Sequence, residues 1–119
     1  MNITYNNVDD IKVVNFSGRI IYDTEEIVKK ELDKIVEENN KRIVFNLSEL
    51  SYINSSGLGL LINVLKQVRA SNGDIKLSNL RPELSELFRI TSLNSVFKIY
   101  NEETDAIEHF KNQAEPNKN

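Results

Sequence analysis

Cysteine and tryptophan are absent from the 119 residues, histidine occurs once, proline twice and glycine four times. Without cysteine there are no disulfides, thiol nucleophiles, cysteine-bearing zinc sites or iron–sulfur clusters. His109 has no second ligand of its type nearby, so no metal is expected and the residue is read as surface or packing. Acidic residues outnumber basic ones 18 to 15, a net charge of -3 that gives no basic stripe for a phosphate backbone; direct nucleic-acid binding is not expected. No stretch reaches the roughly 18 to 20 apolar residues that cross a bilayer. The first ten residues carry Asn and Asp where a secretion signal carries Lys and an apolar run. No membrane partner is expected, and the cytoplasm is the expected location.

What remains, 39% hydrophobic and 28% charged, is the balance of one folded domain. A domain of this size buries roughly 65% of its unfolded surface and needs no staple. Ile3 to Asn6 and Ile11 to Phe16 read as strands around a turn at Asn7-Val8-Asp9-Asp10, and Ser17-Gly18-Arg19 is expected to close the second strand. Asp23 and Glu26 have the spacing of a capping box before a helix carrying Ile27, Val28, Leu32, Ile35 and Val36 and running to about Asn39. Arg42 to Leu47, with Ile43-Val44-Phe45 in a row, reads as a strand covered on both faces. A loop from Ser48 to Asn54 leads to a helix with Leu58, Leu61, Val64, Leu65 and Val68 on one stripe, ending at Asn72-Gly73. Ile75-Lys76-Leu77 is a strand, Pro82 opens a short helix with Leu84, Leu87 and Phe88, and Val96 to Tyr100 is a last strand. Glu102 to Lys111 forms the closing helix, with Ala106, Ile107 and Phe110 on one side. This order predicts an α/β fold: a small mixed, mostly parallel β-sheet with helices packed on it, one domain over 1–112 followed by a polar tail over 113–119.

The segment Ser51 to Leu60 is the one that folding alone does not fully explain. Ser55 and Ser56 open a helix, where backbone N–H groups lack partners and the macrodipole is positive, a setting suited to negative charge. Gly57 and Gly59 each cost about 1 kcal/mol of helix propensity, which points to close approach by a neighbouring element or a partner. The plainer reading, which the residues by themselves favour, is that Ser55 or Ser56 caps the helix while the glycines ease a tight turn. The Gly-x-Ser-x-Gly elbow of hydrolases is absent, and so are the lysine and spacing of a P-loop.

Asn54-Ser55-Ser56-Gly57-Leu58-Gly59, after the Ile43 to Leu47 strand, resembles the signature of the bacterial anti-sigma factor antagonists, the STAS-domain family. Gly18-Arg19-Ile20, Asn72-Gly73, Leu77-Ser78-Asn79-Leu80, Leu84 to Phe88, Leu93 and Val96-Phe97-Lys98-Ile99 are similar to family features in family order, covering about Ile3 to Phe110. The resemblance implies a protein that catalyses nothing and takes no cofactor. Its unphosphorylated form would bind an anti-sigma factor that is also a serine kinase with a histidine-kinase-like ATPase fold, releasing the sigma factor. Phosphorylation at Ser55 would end that binding, and a PP2C-type phosphatase would restore it. Asn54, Ser55, Ser56, Gly57, Leu58 and Gly59 are the implied partner-binding residues, on a chain expected to be monomeric when free. Asn54 stands where the family pattern has Asp, which keeps a capping oxygen and removes a carboxylate. The alternatives are a non-switching STAS scaffold or interaction subunit of a larger complex, and a nucleotide- or small-ligand-binding domain using the same helix end.

Overall fold

The computed structural model describes residues 1–113. β1 (Asn2–Val8) and β2 (Ile11–Ile20) form an antiparallel hairpin. Asp9 takes the left-handed backbone at φ 56°, which Asp tolerates better than most residues, so Asp9 and Asp10 suffice for the turn. Asn7 and Val8, expected within it, instead pair with Lys12 and Ile11. β3 (Arg42–Ile53), β4 (Asp74–Ser78) and β5 (Lys98–Tyr100) extend the sheet in the order β1-β2-β3-β4-β5, with every pairing after the hairpin parallel. The mixed, mostly parallel sheet expected from the order of elements is the observed one.

Helices cover both faces. α1 (Glu25–Glu37), α2 (Ser55–Ala70) and α3 (Pro82–Ile90) bury one stripe each, including Val28, Leu32, Leu61, Leu65, Leu84 and Phe88, in a cluster with Phe16, Phe45, Leu47 and Leu77. Within it Phe16 and Phe45 meet edge to face, 5.0 Å between centroids. α4 (Glu103–Asn112) closes the opposite face, setting Ala106 and Phe110 on Ile11, Val13 and Val44. The lack of alternation in Ile43-Val44-Phe45 follows directly: Ile43 and Phe45 face α1 to α3 while Val44 faces α4, and all three are fully buried.

Several local expectations are corrected. Ser17-Gly18-Arg19 does not close β2 but lies within it, at two register shifts against β3, with Gly18 at φ 120° where a side chain would be strained. Of the stretch expected as a loop, Ser48 to Asn54, all but Asn54 continues β3: Glu49, Leu50, Tyr52 and Ile53 pair with Ser17, Gly18, Arg19 and Ile20. Its polar residues suggested a loop because only the face of Leu47, Leu50 and Ile53 is covered there. The Asp23/Glu26 capping box does not form. A 3-10 turn over Tyr22–Thr24 precedes α1, and the Thr24 hydroxyl accepts from the Ile21 N–H at 3.0 Å and donates to the Arg19 carbonyl at 2.6 Å. α1 stops at Glu37, short of the left-handed Asn39. The last strand shortens to Lys98–Tyr100 because a second 3-10 turn, Leu93–Ser95, draws the N–H groups of Val96 and Phe97 onto the Leu93 carbonyl. Of the expected tail, 114–119 lies outside the described residues.

Lys76, between two buried apolar residues of β4, is itself fully buried on the α4 side. Its Nζ lies 4.4 Å from the Phe110 ring centroid and 3.9 Å from Asp74 Oδ2, with no hydrogen-bond partner among the described residues. Burial pushes its pKa below the ordinary 10.5, and Asp74 only partly opposes this. Between the folded value and 10.5 the unfolded chain therefore holds the proton more tightly, so stability rises with pH across that window and falls as pH drops through the folded value. Lys76→Met is expected to raise unfolding free energy at pH 7 by about 1 kcal/mol. In urea unfolding run at increasing pH the gap to the parent should narrow; a gap independent of pH would contradict this account.

Candidate functional site

The site begins where β2 and β3 end together. The Ile20 carbonyl accepts from the Asn54 N–H at 3.0 Å, one step beyond the Ile20 and Ile53 pairing, and α2 starts at the next residue. Asn54 is extended, φ -86° and ψ 176°, and caps α2: its Oδ1 accepts from the Gly57 N–H at 2.8 Å and its carbonyl from the Leu58 N–H at 3.0 Å. Its Nδ2 donates to Glu25 Oε2 at 2.9 Å. Every polar group of Asn54 thus has a partner, and the end of the strand is fixed relative to the first turn of α2 and the start of α1.

The cap falls to Asn54 rather than to Ser55 or Ser56, so neither hydroxyl is committed to capping. Both serines are exposed on the first turn, and their backbone N–H groups lie among the orphan donors at the positive end of the helix. An anion bonded to either serine can be met by N–H groups of its own chain.

The two glycines do different things. Gly57 is buried, and a Cβ there would stand 2.6 Å from Ile20 Cγ2 and 2.7 Å from Ile53 Cγ1, so its bareness lets α2 settle on the strand ends. Gly59 is exposed and a Cβ would meet nothing within 4 Å. The expectation of close approach holds inside the fold for Gly57 and has no intramolecular basis for Gly59. Leu58 lies between them, half-buried and packed on the core.

Residues beyond the motif join this end of the molecule. Tyr52, half-exposed, lies under the Arg19 guanidinium, 5.8 Å from its ring centroid. Tyr22, on the 3-10 turn after β2, is 87% exposed. Tyr52 falls within the Ser51 to Leu60 segment singled out from the sequence but was assigned no role there, and Tyr22 was missed although it stands outside the helical stripe of Val28, Leu32 and Ile35. Glu25 was also missed, since it reads as an ordinary first-turn acid. A broad cavity of about 840 Å³ opens at the other end of the sheet, beside Arg42 and Asp74 at the starts of β3 and β4, away from Ser55. His109 is exposed on α4 with its ring 5.4 Å from that of Tyr100, and among the described residues no cluster could hold a metal ion. No helix among them is long and apolar enough to cross a membrane.

The glycine pair gives opposed expectations. Gly57→Ala should destabilise by about 1 to 3 kcal/mol through overpacking, whereas Gly59→Ala should stabilise by about 0.5 to 1 kcal/mol through helix propensity. Asn54→Ala should cost about 1 kcal/mol as a lost cap. Chemical unfolding of the three variants measures all of these, and equal effects at the two glycines would refute the assigned division.

The model of the STAS domain matches residues 2–106. The anti-sigma-B factor antagonist of Bacillus subtilis is 34% identical over 94 residues, 78% of this chain and 84% of that protein. Among solved structures, an anti-sigma factor antagonist from Mycobacterium paratuberculosis superposes with a TM-score of 0.85 at 21% identity, over 93% of this chain and 94% of the other. The Bacillus cell fate determinant SpoIIAA, solved in its phosphorylated form, gives 0.70 at 21% identity, over 92% of this chain and 99% of the other. With its sheet order, its helix-opening Asn-Ser-Ser-Gly-Leu-Gly segment and these matches together, the chain belongs to the STAS domain family of bacterial anti-sigma factor antagonists.

Proposed function

We propose that this protein is an anti-sigma factor antagonist switched by phosphorylation at Ser55. The observation that carries the reading is a serine hydroxyl exposed at the first position of α2 and left free because Asn54 already makes the cap. The unphosphorylated protein binds an anti-sigma factor that is itself a serine kinase with a histidine-kinase-like ATPase fold, through Asn54 to Gly59 and the exposed side of α2. Tyr22 and Tyr52, exposed at the shared end of β2 and β3, offer further contacts to such a partner. Gly59, which nothing in the chain requires to be bare, leaves room for the partner's backbone.

The kinase joins the γ-phosphoryl group of ATP to the Ser55 oxygen, with ADP leaving and the hydroxyl proton released. The product carries about 1.5 to 2 negative charges. Within the chain this charge faces the N-terminus of α2 and is tolerated. At a docked interface the same charge is buried without a counter-ion, which costs several kcal/mol. The partner therefore leaves while the fold stays, and a PP2C-type phosphatase reverses the step by hydrolysing the phosphoester. The protein works as a monomer when free, in the cytoplasm, and is the substrate of the chemistry rather than its catalyst.

Incubation with the kinase partner and ATP should place phosphate on Ser55 by mass spectrometry and none on Ser55→Ala; label that survives the substitution sinks the assignment. Ser55→Asp should weaken kinase binding at least tenfold in calorimetry while changing unfolding free energy by less than about 0.5 kcal/mol. Gly59→Ala should bind more weakly although it folds more stably. Undiminished binding by both variants would leave a non-switching scaffold as the better reading.

A further inference from the structure

We propose that Glu25 is a positioning residue of the Ser55 site, fixing the Asn54 amide and supplying from α1 the carboxylate that stands beside the first turn of α2. The inference rests on the role just proposed for Ser55. The Asn54 Oδ1 is committed to the Gly57 N–H at 2.8 Å, which sets the orientation of the amide and leaves Nδ2 turned outward as a donor. Glu25 Oε2 takes that donor at 2.9 Å from 29 residues away in sequence. Glu25 is the first residue of α1, and its own position is set by its N–H bond to the Ile21 carbonyl at 3.0 Å, just past the end of β2. The starts of two helices are thereby tied through one side-chain pair, with Ser55 the next residue along.

The pair has a polarity. Position 54 must accept on one side and donate on the other, which an amide does and an ionised carboxylate cannot. Aspartate at 54 could still cap α2, but it would set a second negative charge against Glu25, leaving one oxygen without its proton partner. Glutamine at 25 would remove that conflict, because its Nε2 can donate to the new carboxylate with the roles of the two residues exchanged. A carboxylate is thus retained at this junction, on α1 in the natural chain and on the cap in the exchanged one. Glu25 thus acts on the acceptor turn through the hydrogen bond it takes from the cap, one residue before Ser55, rather than through its charge.

The test uses E25A, E25Q, N54D and the exchanged pair E25Q/N54D. In thermal unfolding N54D should lose stability and the exchanged pair should recover at least half of that loss, while E25Q alone, which can still accept from Asn54, changes little. In 1H–15N spectra the Asn54 side-chain amide signals should shift upfield in E25A and remain near their natural positions in E25Q. Phosphorylation of Ser55 by the kinase partner with ATP should fall about tenfold in kcat/KM for E25A, chiefly in kcat, with E25Q restored to within threefold. Additive losses in the exchanged pair, an unmoved Asn54 amide in E25A, or phosphorylation of E25A at the natural rate would each overturn the assignment. If Ser55 of the natural protein takes no phosphate, the switch reading fails, while the exchange and the amide signals still decide the pairing.

Discussion

The hydrogen bond from the Asn54 N–H to the Ile20 carbonyl, at the point where two parallel strands finish together, sets the place from which α2 departs. Parallel pairing carries β3 to Ile53, one residue short of the cap, so the start of α2 inherits its position from the sheet instead of from a loop. A rigid start is what the acceptor role proposed for Ser55 requires. Held on a mobile loop, its hydroxyl would pay ordering entropy at each encounter; here the cap, the strand end and the first residue of α1 have already met that cost within the fold.

From this fixed point the opposing demands on the surface separate cleanly. Stability is served by Gly57, which is bare because Ile20 and Ile53 occupy the space where a side chain would be. Exposure is served by Ser55, Ser56 and Gly59, whose positions on the helix leave them outside the core. An anion added to this end meets the positive end of a helix dipole, and only a second protein would have to bury it. In the proposed switch, the same electrostatics that let the fold tolerate a phosphate here would make it disruptive to a complex.

The two faces of the sheet are divided in a related way. The larger core under α1, α2 and α3 supports the candidate site, whereas the smaller one under α4 accommodates the polar end of Lys76 among apolar residues. That lysine is set among aromatic rings, near Asp74 but with no hydrogen-bond acceptor described, an arrangement whose cost is borne on the side of the sheet opposite the helix that opens at Ser55.

Local spacing sufficed for much of this. The stripes of α1 and α2, the strand at Ile43 to Phe45, the helix after Pro82 and the electropositive turn at Ser55 all follow from neighbours within a few residues, because periodicity and capping are short-range effects. Lack of cysteine likewise settled by itself which chemistries the chain does without. Tertiary structure decided the rest. A polar stretch became the end of β3 because Ser17 to Ile20 lay ready to pair with it, and a missed acid became the partner of the cap from 29 residues away. Two identical glycines two residues apart acquired different reasons for being bare, one wedged on strand ends and one facing solvent. Such facts depend on which distant atoms share a volume once the sheet has formed, and no pattern along the chain encodes that distance.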